Sequence, residues 1–264
     1  MDKWIDIDLL EKYPEATDSI ISEALDMCME QVKNNLPAFE EHFPAANSEG
    51  NFYTPGINTD WTSGFWTGEV WLSYENAKNE KDKELFERAG KKQVDSFLER
   101  INIRHYIDHH DMGFLYIPSC VAAYSLISYE NAKEAAIKAA DQLCSRYRPE
   151  GKYIQAWGEM WARDNARLII DCMLNVPLLY WASEVTSDEH YAKIAKNHIL
   201  TTMKHIIEMM ILPGIRYSLI LIPENFLMVL PVRGIRMPAH GPEDRHGEFM
   251  EPPLPIRIPE IRNI

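Results

Sequence analysis

Asp108, His109, His110 and Asp111 stand side by side in the stretch Arg104–Tyr116, just before a long apolar segment. Ionisable groups clustered at the mouth of an apolar element are where shifted proton affinities and acid–base chemistry concentrate. Sixty residues further on, Asp171 lies inside Leu168-Ile-Ile-Asp-Cys-Met-Leu174. An ionised carboxylate among such neighbours is costly unless paired; otherwise it keeps its proton. Asp171 therefore has two readings: a buried Asp satisfied by an Arg or a backbone donor, or a general acid of raised proton affinity. Asp111 also has two, because it stands where a helix N-cap belongs, ahead of Met112 and Gly113. Taken together, Asp111 and Asp171 are candidates for an acid–base pair of carboxylates.

The histidines invite a metal reading, but His105, His109 and His110 match none of the zinc spacings. The expectation is no metal and no cofactor, with His110 orienting a carboxylate or touching substrate. Trp61 and Trp157 are expected at loop–helix junctions, where exposed rings beside carboxylates stack on sugars. Phe65, Trp66 and Trp71 are read as core.

The elements that position these residues repeat. Asp18 is placed as the cap of a helix to about Leu36, with Ile20, Ile21, Ala24, Leu25 and Cys28 on one face. A loop over 37–60 leads into an aromatic helix over Trp61–Tyr74, then an amphipathic one over Lys83–Ile101. The pattern recurs from Asp111 to Tyr129 and Ala132 to Tyr147. It recurs again from Asn165 to Ala182 and from Glu189 to about Met209. Trp71, Tyr124 and Trp181 mark a period of about 55 residues. Each unit pairs an apolar inner helix with an outer helix that has one wet face. Pro118 and Pro177 should kink the inner helices, and no β pattern appears before residue 210. The fold class is all-α, a toroid or solenoid of helical hairpins with three hairpins visible.

Composition bounds the rest. At 264 residues, 46% hydrophobic and with net charge −13, the chain is globular and lacks the basic surface that nucleic acid requires. No apolar run reaches a membrane span, and the first residues lack a signal-peptide core. Cys28, Cys120, Cys144 and Cys172 show no CxxC spacing and read as reduced core residues, which points to the cytoplasm.

Four segments carry a resemblance. Asn58-Thr-Asp-Trp-Thr-Ser-Gly-Phe-Trp-Thr-Gly68, Asp108-His-His-Asp-Met-Gly-Phe-Leu-Tyr116, Ile154-Gln-Ala-Trp-Gly158 and Leu168–Leu179 resemble, in order, the unsaturated glucuronyl hydrolases of glycoside hydrolase family 88. The resemblance covers about residues 18–208 and implies an (α/α)6 barrel. It also implies an unsaturated oligosaccharide substrate, left by a polysaccharide lyase, with a 4,5-unsaturated uronic acid at its non-reducing end. The implied reaction hydrates the vinyl ether. Asp171 is the implied acid/base that protonates C4 and activates water for C5, and the resulting hemiketal opens to release the remaining sugar. Asp111 is implied to place the substrate and sustain the proton affinity of Asp171. His110, Trp61 and Trp157 fall on implied substrate contacts. The rival readings are an unsaturated rhamnogalacturonyl hydrolase and a non-catalytic helical-repeat binding protein.

After residue 210 the composition changes: nine of the 16 prolines lie in 213–259. Tyr217–Ile222 reads as a strand without a partner. The His-Thr, Phe-Asp-Pro…Thr-Gly and Arg-Gly-Gln-Ala-Trp-Gly segments expected from the resemblance are missing. Read across codon boundaries with synonymous positions left free, Gly214–Arg216, Ser218–Glu224 and Ala239–Glu251 can encode all three in order. The expected organisation is therefore an N-terminal barrel part over 1–210 and a frameshifted tail without an evolved fold over 211–264. Three hairpins cannot close a ring of six, so the chain as written is expected to aggregate or to lack activity.

Overall fold

The computed structural model describes residues 16–160, 162, 167–204, 216–222 and 226–232. Helices dominate, in the hairpin order expected. Helix α1 spans Asp18–Phe39, α2 Ser63–Glu75, α3 Glu80–Asn102, α4 Met112–Tyr116, α5 Ala122–Ile127, α6 Glu130–Ser145, α7 Pro177–Thr186 and α8 Glu189–Thr202. The chain divides into two compact units. One holds residues 1–107 and 112–141, and the other holds 108–111 and 142–264.

In the first unit α2 is largely buried, with Phe65, Glu69, Leu72 and Glu75 on its exposed side. Trp66, Val70 and Trp71 are buried, together with the small residues Ser63, Gly64, Thr67 and Gly68. The small residues let the backbone of α2 approach α4 closely: a Cβ on Gly64 would collide with the Phe114 carbonyl oxygen and stand 2.6 Å from the Leu115 Cα. Helix α3 opens on Asn79, whose side chain accepts from the Asp82 amide, and it buries Phe86, Ala89, Val94 and Phe97. The Tyr116 hydroxyl donates to the Phe97 carbonyl and ties α4 to α3.

Several expectations need correction. Thr17, not Asp18, caps α1, because its hydroxyl accepts from the Ile20 amide. The buried face of α1 is Val32, Leu36 and Phe39, whereas Ile20, Ile21 and Leu25 are about half exposed and Cys28 is exposed. The stretch 37–60 contains an antiparallel hairpin, β1 Phe43–Glu49 with β2 Phe52–Gly56, turning through left-handed Gly50 and Asn51. Pro118 falls in a wide π-type turn, Ile117–Val121, between α4 and α5, which accommodates its missing N–H. Pro177 does not kink a helix. It opens α7 at the first turn, where no amide hydrogen is needed.

In the second unit the expected helix from Asn165 to Ala182 is instead a strand, a 3-10 turn and then α7. Strand β5 is Arg167–Ile169 and the turn is Ile170–Leu174. Two further short strands, β3 Tyr147–Arg148 and β4 Tyr153–Ile154, form a ladder after α6. Strand β5 pairs with β6 Arg216–Ile222, which pairs in turn with β7 Phe226–Val232, all antiparallel. The Tyr217–Ile222 run therefore pairs with β7 along its length and with β5 at Tyr217 and Ser218, contrary to the sequence reading. Helix α8 is capped by Asp188 and buries Tyr191, Ile194, Ala195 and His198. Residues 1–15 and the helix end expected near Met209 lie outside the described residues.

Candidate active site

Three backbone segments of the second unit lie edge to edge. The His110 amide donates to the Ala156 carbonyl at 2.7 Å, and the Ala156 amide donates to the Arg167 carbonyl at 2.9 Å. His109 and Trp157 face each other as an antiparallel bridge pair. Strand β5 then hands the chain to the 3-10 turn that carries Asp171. The two carboxylates far apart in sequence are thus brought together by cross-strand pairing.

A ring nitrogen of His110 and one carboxylate oxygen each of Asp111 and Asp171 lie within 4.8 Å of one another. His110 Nε2 is 3.2 Å from Asp111 Oδ1 and 3.6 Å from Asp171 Oδ1. The His110 ring is buried, while the side chains of Asp111 and Asp171 are 21% and 37% exposed. Asp171 is therefore half-open to solvent rather than sealed among apolar neighbours, because the 3-10 turn lifts it out of the Leu168 and Cys172 layer that is buried.

Burial pushes the Asp111 carboxyl up, but hydrogen bonds and charge from His109 and His110 outweigh it. They hold the group well below the ordinary carboxylate range. Asp111 directly precedes α4, as the capping reading placed it, yet its carboxylate is engaged by the two imidazoles. His109 Nδ1 is 3.1 Å from both the Asp111 amide nitrogen and Asp111 Oδ2. An unprotonated Nδ1 accepts from the amide and a protonated one donates to the carboxylate, so protonating His109 exchanges one bond for the other.

Two buried polar devices that the sequence reading missed hold this arrangement. Arg146 is fully buried on its guanidinium side. It donates to the Gln155 carbonyl at 2.8 Å, to the Gly158 carbonyl at 3.0 Å and to the Asp108 carboxylate. The Gln155 side chain in turn donates to the carbonyls of Trp157, Gly158 and Glu159 and accepts from Arg148. His198 on α8 accepts the Ile154 amide at Nδ1, 3.0 Å away. Burial first, and His110 second, push the His198 imidazole down to about 3. The signal for the arginine device is Arg-Tyr-Arg over 146–148, two arginines flanking a tyrosine at the start of a short strand.

Trp157 belongs to the extended segment beside His109, not to a loop–helix junction, and Arg167 lies over its ring at 5.3 Å. Trp61 belongs to the first unit. Its ring is 48% exposed and meets Phe65 and Phe114 edge-on at 6.2 Å and 5.7 Å. His105 is also in the first unit, against the Tyr106 ring. His110, Asp111 and Asp171 form an imidazole–dicarboxylate set that divalent metals accept. It is invisible as a spacing motif because its third donor comes from a distant segment.

The arrangement can hold one carboxylate ionised beside another that is open to a ligand, which is the division of labour of an acid–base pair. Comparison with known proteins points the same way. The Glycosyl Hydrolase Family 88 model matches residues 32–211. An unsaturated chondroitin disaccharide hydrolase of Streptococcus pneumoniae is 43% identical over 196 residues, 74% of this chain and 48% of that protein. An unsaturated glucuronyl hydrolase of Bacillus sp. strain GL1 is 41% identical over 174 residues, 66% of this chain and 45% of that one. The crystal structure of the Streptococcus agalactiae unsaturated glucuronyl hydrolase superposes with a TM-score of 0.75 at 39% identity. The match covers 82% of this chain and 54% of that one, as expected for an incomplete (α/α)6 barrel. The chain spans about half the length of the curated relatives it matches.

Proposed function

Because the chain belongs to glycosyl hydrolase family 88, we propose that its site serves the release of a 4,5-unsaturated uronic acid from the non-reducing end of lyase-generated glycosaminoglycan oligosaccharides. The observation that carries this reading is the approach of Asp111 and Asp171 within 4.8 Å around buried His110. Asp111, held ionised by two imidazoles, places negative charge beside Asp171 and so favours a proton there. Asp171, the more exposed of the two, delivers that proton to C4 of the vinyl ether. The carboxylate left behind takes a proton from water as the water adds to C5. The hemiketal so formed opens and frees the remaining sugar. No bond to the anomeric carbon is displaced directly, so carboxylate separation does not set the stereochemistry. Two solved variants of the Streptococcus agalactiae enzyme each replace one aspartate by asparagine, and the two positions lie as far apart in sequence as Asp111 and Asp171. One of these variants is described in complex with dGlcA-GalNAc6S.

Trp157 and His110 complete the site on this reading, as a sugar platform and as a contact to the acid pair, and Trp61, in the first unit, is read as a further ring for sugar stacking. All four cysteines are free, which suits a cytoplasmic protein, and among the described residues no helix is long and apolar enough to cross a membrane. We also read residues 211–264 as translated out of frame; the family match ends at residue 211, beside the boundary where composition changes. Sequencing of the source DNA across codons 200–264 tests this, and an uninterrupted frame with no missing or extra base refutes it.

The functional test is release of the unsaturated acid from chondroitin disaccharide, followed by loss of the conjugated ultraviolet absorbance, for this chain and for the frame-restored product. Asp171→Asn is expected to slow release at least about a thousandfold with substrate binding kept. The reading falls if the frame-restored product releases nothing. Release from a rhamnogalacturonan disaccharide in preference to chondroitin would reassign the substrate.

A further inference from the structure

We propose that Arg167 is the receptor for an oxyanion of the sugar substrate, gripping it from the edge of the Trp157 platform. The inference rests on the functional reading above, which supplies an acidic sugar as ligand.

The need for such a group follows from charge. The chain carries a net −13, and two of its carboxylates, the acid pair, stand at the reaction centre. An acidic sugar enters this field against repulsion unless a fixed cation lies close by. Among the described residues, the two buried arginines of the second unit are otherwise committed. Arg146 is spent on Asp108 and two carbonyls, and Arg148 donates to Gln155 and to the Ala162 carbonyl.

Arg167 differs from them in place and in engagement. It stands on β5, four residues before Asp171, and its guanidinium carbon lies 5.3 Å from the centre of the Trp157 ring. Trp157 is the bridge partner of His109, and His109 touches Asp111. Three neighbouring strands therefore present His109, Trp157 and Arg167 side by side: an imidazole next to the acid pair, an indole, and a guanidinium. Leu168 alternates to the buried side, so Arg167 is on the open face of its strand. Stacking on an indole orients a guanidinium without consuming its N–H donors, which lie in the plane of the group. Among the described residues its side chain makes that ring contact and neither a hydrogen bond nor an ion pair. A planar fork beside a sugar platform fits a carboxylate or a sulfate, both of which accept two parallel N–H donors.

The test is calorimetric binding of unsaturated chondroitin disaccharides to the 264-residue chain, with no dependence on turnover. The ligands are the 6-sulfated disaccharide, the unsulfated one, and the uronate methyl ester of each. The proteins are wild type, Arg167→Gln and Arg167→Lys. Loss of a charge-assisted bidentate contact is expected to weaken binding of the parent disaccharide about tenfold to a hundredfold in Arg167→Gln. Arg167→Lys should recover part of this. The decisive outcome is non-additivity: the ligand that lacks the recognised oxyanion should bind Arg167→Gln and wild type equally. If the methyl ester abolishes the difference, the partner is the uronate; if removing sulfate does, it is the sulfate. A penalty that persists undiminished on the unsulfated methyl ester overturns the proposal, because Arg167 would then act only by placing Trp157. Failure of folded wild-type chain to bind any of the disaccharides also overturns it. Binding with the expected pattern, together with no release by the frame-restored product, would sink the hydrolase reading alone.

Discussion

Replacing Arg146 by Ala should destabilise the second unit by about 4 kcal/mol. Two backbone carbonyls, those of Gln155 and Gly158, accept from this guanidinium in a buried setting. The Gln155 carbonyl loses its arginine donor, at about 1–3 kcal/mol, and the Gly158 carbonyl is left with the Gln155 side chain, a smaller loss of about 1 kcal/mol. The aliphatic stem of a side chain with no exposed surface is also lost, at about 0.8 kcal/mol per methylene before relaxation. The Asp108 partner is 75% exposed, so that ion pair adds less than about 1 kcal/mol. Relaxation and water entry offset part of these losses, which leaves the figure near the middle of the range. Urea unfolding followed by circular dichroism reads the change. Hydrogen exchange at the amides of His110 and Gln155 localises it, because these bond Ala156 and Arg146 across the affected segments. Arg146→Lys keeps stem and charge, but one ammonium cannot serve three spread acceptors, so about half the loss should remain. A shift below about 1 kcal/mol for Arg146→Ala, with unchanged exchange at both amides, would refute the reasoning.

His198 supplies a pH test. The unfolded chain binds its proton near the ordinary 6.5, whereas the native chain refuses it until about 3. Stability is thus complete above about 6.5 and is lost as pH falls from there toward 3, at up to about 1.4 kcal/mol per pH unit. His198→Asn keeps an acceptor for the Ile154 amide without a titrating ring, and should flatten that slope in urea titrations at several pH values; an unchanged slope would refute it. Gly64→Ala should cost about 3 kcal/mol, because the new Cβ collides with backbone atoms of Phe114 and Leu115, coming within 2.6 Å of the latter's Cα. A thermal midpoint equal to wild type would show that α2 and α4 separate without penalty.

The helices are legible in the sequence where burial has a helical period. Phe86, Ala89, Val94 and Phe97 mark α3, and Ala135, Ala136, Ala139 and Leu143 mark α6. The stretch around Asp171 reads as helix from sequence alone because a short apolar run looks alike in a buried strand and a buried helix. What decides it is pairing with residues 154–158, which no local pattern contains. The exposed face of α1 misleads for a related reason: Ile20, Ile21 and Leu25 have helical spacing, but spacing says only that they share a face, not that anything covers it.

The site residues divide along the same line. Asp111, His110 and Asp171 are visible as chemistry out of place in apolar sequence, and the fold brings them together. The supporting groups are not. Arg146 and Gln155 look like ordinary polar residues near a turn until their backbone partners are known. His198 looks like one polar position on an amphipathic helix, and only its burial and its bond to Ile154 reveal a ring fixed in one tautomer.

The edge-to-edge pairing of residues 108–110, 154–158 and 167–169 also orders events in time. Helices such as α3 and α6 close contacts a few residues apart and can form within microseconds. His109 must find Trp157 across nearly fifty residues, and Asp171 reaches the acid pair only once that layer and β5 are in register. Loop closure must be overcome before such contacts give anything back. A nascent chain can therefore display most of its helical scaffold while still lacking a reaction centre. In a partly opened molecule, chemistry should disappear while helicity survives.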